Sequence, residues 1–503
     1  MNDDVRLLSH VHPPGWRNPH PASTYDLVVI GGGTAGLVCA AGAAGLGARV
    51  ALVERARLGG DCLNTGCVPS KSLLRSARVV SELREAPRLG VVAEGKPDFV
   101  SIMARLRERR ADLAPHDSAA RLTSLGVDVF FGAAAFSSPR TVTVRERNDP
   151  NDPNDPNDSN DSNEWLLRFR KAVIATGSRP ATPPIPGLAH TPFLTSETLF
   201  ELTEQPRELV VIGAGPIGCE MAQAFACLGT RVTLIESASQ VLPREDAEAA
   251  ALLAARLTED GVEVLLKSSV TSTRWAAGRF ALDHDGRTTS ADAVLVSTGR
   301  VPGVDGLELE AAGVAHGPDG VTVDDRLRTS NTRVYAAGDI CSRHKFTHAA
   351  DAMARIVIQN ALFFGRKRAS ALVVPSCTFT SPEVARVGLA ASEAAARGAD
   401  AITIPLTAVD RAVVDDAPEG FVRLHHERGR ILGATIVAPE AGELIGTVAL
   451  AMQHGISLGD LASAIFPYPT LSAALRQAGD GYRRAGLTAP LRTLLRYYFR
   501  VFR

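Results

Sequence analysis

One arrangement occurs twice in this chain of 503 residues and restricts what it can fold into. Asp26-Leu-Val-Val-Ile30 leads into Gly31-Gly-Gly33-Thr-Ala-Gly36, then an alanine-rich helix pattern, then an apolar run from Arg49 to Val53 that ends at Glu54. Leu209-Val-Val-Ile212 leads into Gly213-Ala-Gly215-Pro-Ile-Gly218, a second helix pattern, and Arg231 to Ile235 before Glu236. The glycines and the acids are each offset by 182 residues. Strand, G-x-G-x-x-G, helix, strand and acid together make the dinucleotide-binding fingerprint. Its glycines let the backbone approach a pyrophosphate at a helix N-terminus, and its acid takes ribose hydroxyls. A glycine triplet alone would say little. Two full copies predict an α/β chain with two dinucleotide sites, one at Gly31, Gly33, Gly36 and Glu54, the other at Gly213, Gly215, Gly218 and Glu236.

A second stretch carries reactive chemistry. Gly59 to Lys71 reads Gly-Gly-Asp-Cys-Leu-Asn-Thr-Gly-Cys-Val-Pro-Ser-Lys. On a regular helix, Cys62 and Cys67 would stand about 140° apart in rotation and about 7.5 Å apart along the axis. A disulfide needs Cα atoms within about 4.4–6.8 Å, so a bridge requires a distorted turn. Gly66 permits one, and Pro69 suits the start of the helix that follows. An isolated C-x4-C pair reads equally well as two buried thiols. The flanking glycines, a helix start and Lys71 four residues on favour a thiolate and hence a redox dithiol.

G-G-x-C-x-N-x-G-C-V-P-S-K resembles the active-site signature of the flavin-dependent pyridine nucleotide–disulfide oxidoreductases, among them dihydrolipoamide dehydrogenase, glutathione reductase and mercuric reductase. The resemblance implies electron flow from a nicotinamide through FAD to the dithiol and on to a substrate. It implies that Cys67 faces the flavin, that Cys62 meets the substrate, and that Lys71 sits near the flavin ring with Glu220 as its partner. The first fingerprint should then hold FAD and the second NAD(H). Glu236 would repel a 2′-phosphate, and no arginine follows among Ser237, Ala238, Ser239 and Gln240, so NADH is expected over NADPH. Val334-Tyr-Ala-Ala-Gly338-Asp339-Ile340 resembles the family's second FAD motif, which gives Asp339 the ribityl chain. Thr347 and His348 open a helix whose positive end would face the flavin. Ala172 to Thr176-Gly177 and Ala293 to Thr298-Gly299-Arg300 are matching strand-to-glycine returns that close the two nucleotide folds.

Bulk properties fit this organisation. The length calls for about three domains. Apolar content of 45% and charged content of 22% are those of an ordinary globular protein. A net charge of −1 gives no reason to expect nucleic acid. The seven scattered cysteines do not make a secreted disulfide framework. Residues 1–24 lack the apolar core of a signal peptide and no run approaches a membrane span, so a cytoplasmic location is expected. The expected division is an extended N-terminal arm over 1–24, an FAD domain over 25–185, an NAD(P)H domain over 186–301, a second FAD segment over 302–365 and a dimerisation domain over 366–503. His10, His12 and His20 lie among prolines and read as solvated rather than metal-binding. An Asn-Asp-Pro/Ser repeat over 148–164 reads as a disordered insertion; it lacks the spacing of a calcium loop. Ser70 to Leu125 reads as helical.

The chain departs from the family at its C-terminal base. The family's His-Pro-Thr-x-x-Glu segment is here Tyr468-Pro-Thr-Leu-Ser-Ala473. A tyrosine is poorly matched to proton exchange near neutral pH, so reduction of organic disulfides should suffer. Pro-Tyr at this place resembles mercuric reductase, where thiolates bind a soft metal and no such relay is required. That enzyme's terminal cysteine pair and N-terminal Cys-x-x-Cys domain have no counterpart here. Four functions compete: a mercuric reductase-like homodimer acting on a small thiophilic acceptor such as Hg(II), a dihydrolipoamide dehydrogenase-like enzyme with another proton donor, a membrane-associated NADH:quinone reductase, and a non-catalytic flavoprotein sensor. Pro490 to Arg503 carries an apolar helical stripe with arginines off it. It reads either as a helix packed within the dimer or as a weak contact with an anionic membrane surface.

Overall fold

The computed structural model describes residues 2–146 and 163–502. The chain forms two compact units, Met1–Gly213 with Cys227–Arg231 and Val270–Leu372, and Ala214–Ala226 with Val232–Ser269 and Val373–Arg503.

The first unit begins α1 (Asp3–Val11), β1 (Tyr25–Ile30), α2 (Thr34–Gly45), β2 (Val50–Glu54), α3 (Gly60–Asn64), α4 (Cys67–Glu85), α5 (Phe99–Leu113), α6 (Ala119–Ser124) and β3 (Val127–Phe131). It continues with β4 (Ala133–Ser138), β5 (Thr141–Arg145) and β6 (Glu164–Ile174). A parallel sheet runs β3-β2-β1-β6, with Val334–Ala336 parallel on the far side of β6. β4, β5 and β6 form an antiparallel meander. β1 is apolar from Leu27 to Ile30 because both its faces are covered there. Leu27 and Val29 join a core that includes α2 and helix Thr347–Leu362, while Val28 and Ile30 join one with Phe136, Val142 and Leu167. Glu208–Ile212 and Ala293–Val296 pair in parallel in the same unit.

The segment expected to be an extended arm holds a helix over Asp3–Val11. Asn2 caps α1 through Asp4 N–H, Asp3 and Asp4 occupy its first turn, and Leu7 and Val11 are buried one turn apart. Val11 O accepts from Leu58 N at 3.0 Å, next to the redox stretch. His12 stacks on Phe131 at 4.2 Å and bonds Ala56 O, so it is not solvated. Asp4 also pairs at 3.1 Å with Arg110, which is 1% exposed, bonds Glu201 at 2.9 Å and donates to Asn64 O at 3.0 Å. The N-terminal helix thus braces the loop that carries the cysteines. Arg110→Ala should lower the stability of this unit by about 3 kcal/mol, because a buried charge network loses its centre; the first transition in urea, followed by flavin fluorescence, measures it.

Of the insertion expected over 148–164, residues 148–162 lie outside the described residues. Glu164 begins β6, opposite Arg145.

In the second unit, Arg231–Glu236 pairs in parallel with Val262–Leu266 from Val232 onward. The C-terminal part is a five-stranded antiparallel sheet in the order Ser376–Thr378, Glu383–Gly388, Arg430–Ala438, Phe421–Glu427, Asp400–Pro405. Helices Ala441–His454 and Ala473–Ala485 bury Leu444, Ile445, Val448, Leu475 and Ala478 in the core of this part. A final helix, Ala489–Val501, buries nothing.

Candidate functional site

The two fingerprints fold alike at their first glycine and at their acid. Gly31 and Gly213 take φ of +104° and +101°, which L side chains rarely adopt. A Cβ would fall 2.4 Å from Ala175 O at the first and 2.8 Å from Ser297 O at the second. Each first glycine therefore lies against one of the strand-to-glycine returns. Glu54 accepts from Gly32 N at 2.6 Å and Ala56 N at 2.7 Å, and Glu236 from Ala214 N at 2.7 Å and Ala238 N at 2.8 Å. Burial raises the Glu54 carboxyl above the usual range, against these amide bonds. The turn after Glu236 also meets Lys267, whose N–H donates to Ala238 O at 2.9 Å. This contact is made by the backbone of Lys267, which sequence reading missed because it lies some thirty residues on.

The rest of the first site suits a flat, anionic cofactor. Gly33 caps α2, whose first residue is Thr34. Gly338 has φ +84°, and its Cβ would touch those of Ala35 and Ala350 at 3.4 Å each. Small residues thus line the place where the starts of α2 and Thr347–Leu362 meet the strand Val334–Ala336. Thr176 Oγ1 donates to Gly303 O at 2.8 Å, fixing the return at Gly177. Ser178 Oγ donates to Asp339 Oδ2 at 2.6 Å, and Arg300 Nε donates to Ser178 Oγ at 2.7 Å. Arg300, next after Gly299, also pairs with Asp61. Arg300, Ser178 and Asp61 were not singled out from sequence; Arg300's place after the second return was the available signal.

The redox stretch is two helices with a break. α3 ends at Asn64, Gly66 turns the chain with φ −127° and ψ −109°, and Cys67 opens α4. A Cβ at Gly66 would fall 2.8 Å from Asp61 O, so this approach requires glycine. The distortion expected between the cysteines is present. Cys62 and Cys67 lie in side-chain hydrogen-bond contact. Cys67 is the first residue of a 19-residue helix, and its Sγ lies 3.4 Å from Thr347 Oγ1, in the first residue of a 16-residue helix. Two helix N-termini favour a thiolate there. The hydrogen bond with Cys67, then burial, raises the Cys62 pKa far above that of a free thiol. Lys71 follows one turn after Cys67 on α4, and His348 stacks on Phe346 at 5.3 Å.

Asp117 is a neighbour that sequence reading missed. It closes the turn Ala114–Asp117 after α5, and its Oδ2 would lie 3.1 Å from a Cβ on Gly59, which caps α3. Cys62 lies three residues after Gly59, on the same side of that short helix. Burial lifts the Asp117 carboxyl above the usual range, and its charge helps hold the Cys62 proton.

In the second unit, Glu220 is buried and its Oε1 accepts from Phe379 N at 2.9 Å. Gly215 leaves open space where a Cβ would stand, and Gly218 lies in helix Pro216–Cys227. Tyr468 is 76% exposed, and its hydroxyl donates to Asp410 Oδ2 at 3.0 Å. That bond raises the tyrosine pKa further from neutrality. Ala473 opens helix Ala473–Ala485 and supplies no carboxylate.

Residues 25–354 match the pyridine nucleotide-disulphide oxidoreductase family, and residues 374–478 its dimerisation domain. The chain belongs to this family. It is 35% identical to a mercuric reductase of Acidithiobacillus ferrooxidans over 94% of this chain and 86% of that one. It is 33% identical to a dihydrolipoyl dehydrogenase of Bacillus subtilis over 90% and 97%. Among solved structures, LpdA of Mycobacterium tuberculosis superposes with a TM-score of 0.81 at 31% identity, covering 90% of this chain and 99% of that one. The HOCl-induced flavoprotein disulfide reductase RclA of Escherichia coli gives 0.79 at 30% identity, covering 91% and 99%; its Cu(II) complex gives 0.80. As a pyridine nucleotide-disulphide oxidoreductase the chain is a flavoprotein enzyme using FAD and NAD(P)H, with the dimerisation domain of a homodimer. Among the described residues no helix is long and apolar enough to cross a membrane, and no group of three or more His, Cys, Asp or Glu is placed to hold a metal ion.

Proposed function

We propose that this reductase takes a hydride from NADH and reduces a thiophilic metal ion, with Hg(II) as the type substrate. The observation that carries the reading is a dithiol poised as thiolate and thiol in a chain whose base position holds Tyr468, bound to Asp410. Bound FAD supplies the two-electron link between nicotinamide and dithiol. Cys67 offers a thiolate stabilised by two helix N-termini, and Cys62 loses its proton as it ligates the metal; soft metal on thiolate needs no histidine. The overall reaction balances as NADH and Hg(II) giving NAD⁺, H⁺ and Hg(0). The mercuric reductase relatives and the Cu(II) complex of RclA support a metal acceptor. NADH is the proposed donor because Glu236 stands where a 2′-phosphate would be.

Anaerobic titration followed by an acceptor panel tests this. NADH should exceed NADPH in kcat/KM by about tenfold or more, as like charges in a site discriminate strongly. Hg(II) in excess thiol should be reduced faster than lipoamide, glutathione disulfide or a quinone. Faster lipoamide turnover overturns the metal reading, and an NADPH advantage would show that Lys267 governs the donor site.

A second reading, reduction of an organic disulfide, is favoured by one observation. Asp117 is close enough for its charge to raise the Cys62 pKa, and burial raises its own carboxyl above the usual range, so it is the candidate to exchange a proton with Cys62 in place of the missing histidine.

A further inference from the structure

We propose that helix Ala489–Val501 is a foot that holds the enzyme on the surface of an anionic lipid bilayer. It starts after Gly486-Leu-Thr488 with Pro490 in its first turn, runs for 13 residues and contributes no buried side chain. Its residues are fully segregated. At about 100° per residue, Leu491, Leu494, Leu495, Tyr498, Val501 and Phe502 occupy one broad face, with Tyr497 and Phe499 at its edges. Arg492, Arg496 and Arg500 line the opposite face. Phe499 and Phe502 are 57% and 73% exposed. Single exposed apolar residues need no explanation, but eight on one short helix do.

Charge selects the occupant. The last acidic residue of the chain is Asp480, so the helix and its approach carry only positive charge. A water-facing surface helix would mix both signs. An apolar and aromatic face with an all-arginine polar face matches the interfacial helix, which lies in the headgroup plane, buries its apolar side shallowly and pairs its cations with anionic lipid. At about 20 Å it is too short to span a bilayer, and it has no need to. Lipid binding here would place an NAD(P)H flavoenzyme where membrane-partitioned acceptors are concentrated.

The test uses the full-length FAD-loaded protein and sedimentation with large vesicles. Vesicles of equal parts phosphatidylglycerol and phosphatidylcholine should carry the protein down at low salt and release it at high salt, because surface attraction is screened. Vesicles of phosphatidylcholine alone should carry little. Replacing Arg492→Gln, Arg496→Gln and Arg500→Gln together should weaken partitioning by about 100-fold, at roughly fivefold per arginine. Leu494→Asp with Phe499→Asp should abolish it. Both variants should keep FAD and its reduction by NADH, since no core side chain changes. Absence of binding to anionic vesicles, or equal binding to neutral ones, overturns the proposal. So does conversion of the dimer to monomer by either variant in sedimentation velocity, which would make the helix a subunit contact.

Discussion

Cys67→Ser should abolish the long-wavelength absorbance that follows two-electron reduction by NADH, whereas Cys62→Ser should keep it. Such a band requires a thiolate in contact with oxidised flavin. Cys67 is placed for it: it opens α4 and lies 3.4 Å from Thr347, where a second helix begins. Cys62, inside the short α3, has its pKa raised by Cys67 and by burial, against a smaller lowering by a Thr347 hydrogen bond, and it does not open a long helix. Removing Cys62 leaves both helix termini in place, so the Cys67 thiolate should persist even without reduction. Acceptor turnover should nevertheless fall by about 10⁴-fold or more in either variant, because the two sulfurs act as one unit. Absorbance spectra and stopped-flow reduction separate the cases. A band lost in Cys62→Ser and retained in Cys67→Ser would reverse the roles of the two thiols.

What could be read without the structure followed how local each signal is. Both fingerprints and the break at Gly66 are written in consecutive residues, and the α/β class, the family and the FAD and NAD(P)H cofactors follow from them. The N-terminal segment misled because prolines and histidines at 10–20 looked like a leader. The apolar Leu7 and Val11 spacing that makes α1 amphipathic was too short a pattern to outweigh them, and its partner Arg110 is a hundred residues away. Separation along the chain likewise hides Asp117 from Cys62, Lys267 from Glu236, and Asp61 from Arg300. No spacing rule links such residues; only the folded chain brings them together. Tyr468 was visible as a departure from the family, but its bond to Asp410 was not.

That bond shapes the remaining prediction. Tyr468→His alone should raise lipoamide reduction by about 10²-fold or more, within the range for general acid–base help. Asp410 holds the Tyr468 hydroxyl at 3.0 Å, and an imidazole, being shorter, would be released from that contact. Adding Ala473→Glu places an acid in the first turn of helix Ala473–Ala485, which the helix tolerates well, and should bring a further gain. Mercury turnover should not improve in either variant, since metal ligation needs no such base. Asp117→Asn completes the argument in the wild-type background. If Asp117 supplies the Cys62 proton, this change should lower lipoamide reduction by about 10²-fold. Its negative charge also helps hold the Cys62 proton, so the neutral amide should shift the pH profile of Cys62 alkylation in the reduced enzyme toward lower pH. A purely structural role would leave that profile in place. Combined with Tyr468→His, Asp117→Asn should cost much less turnover, because a second proton donor is present. Unchanged lipoamide turnover together with an unchanged alkylation profile in Asp117→Asn would remove the carboxylate from the reaction. If wild-type lipoamide turnover is one that Tyr468→His cannot raise, the absent histidine was never the limit on disulfide reduction.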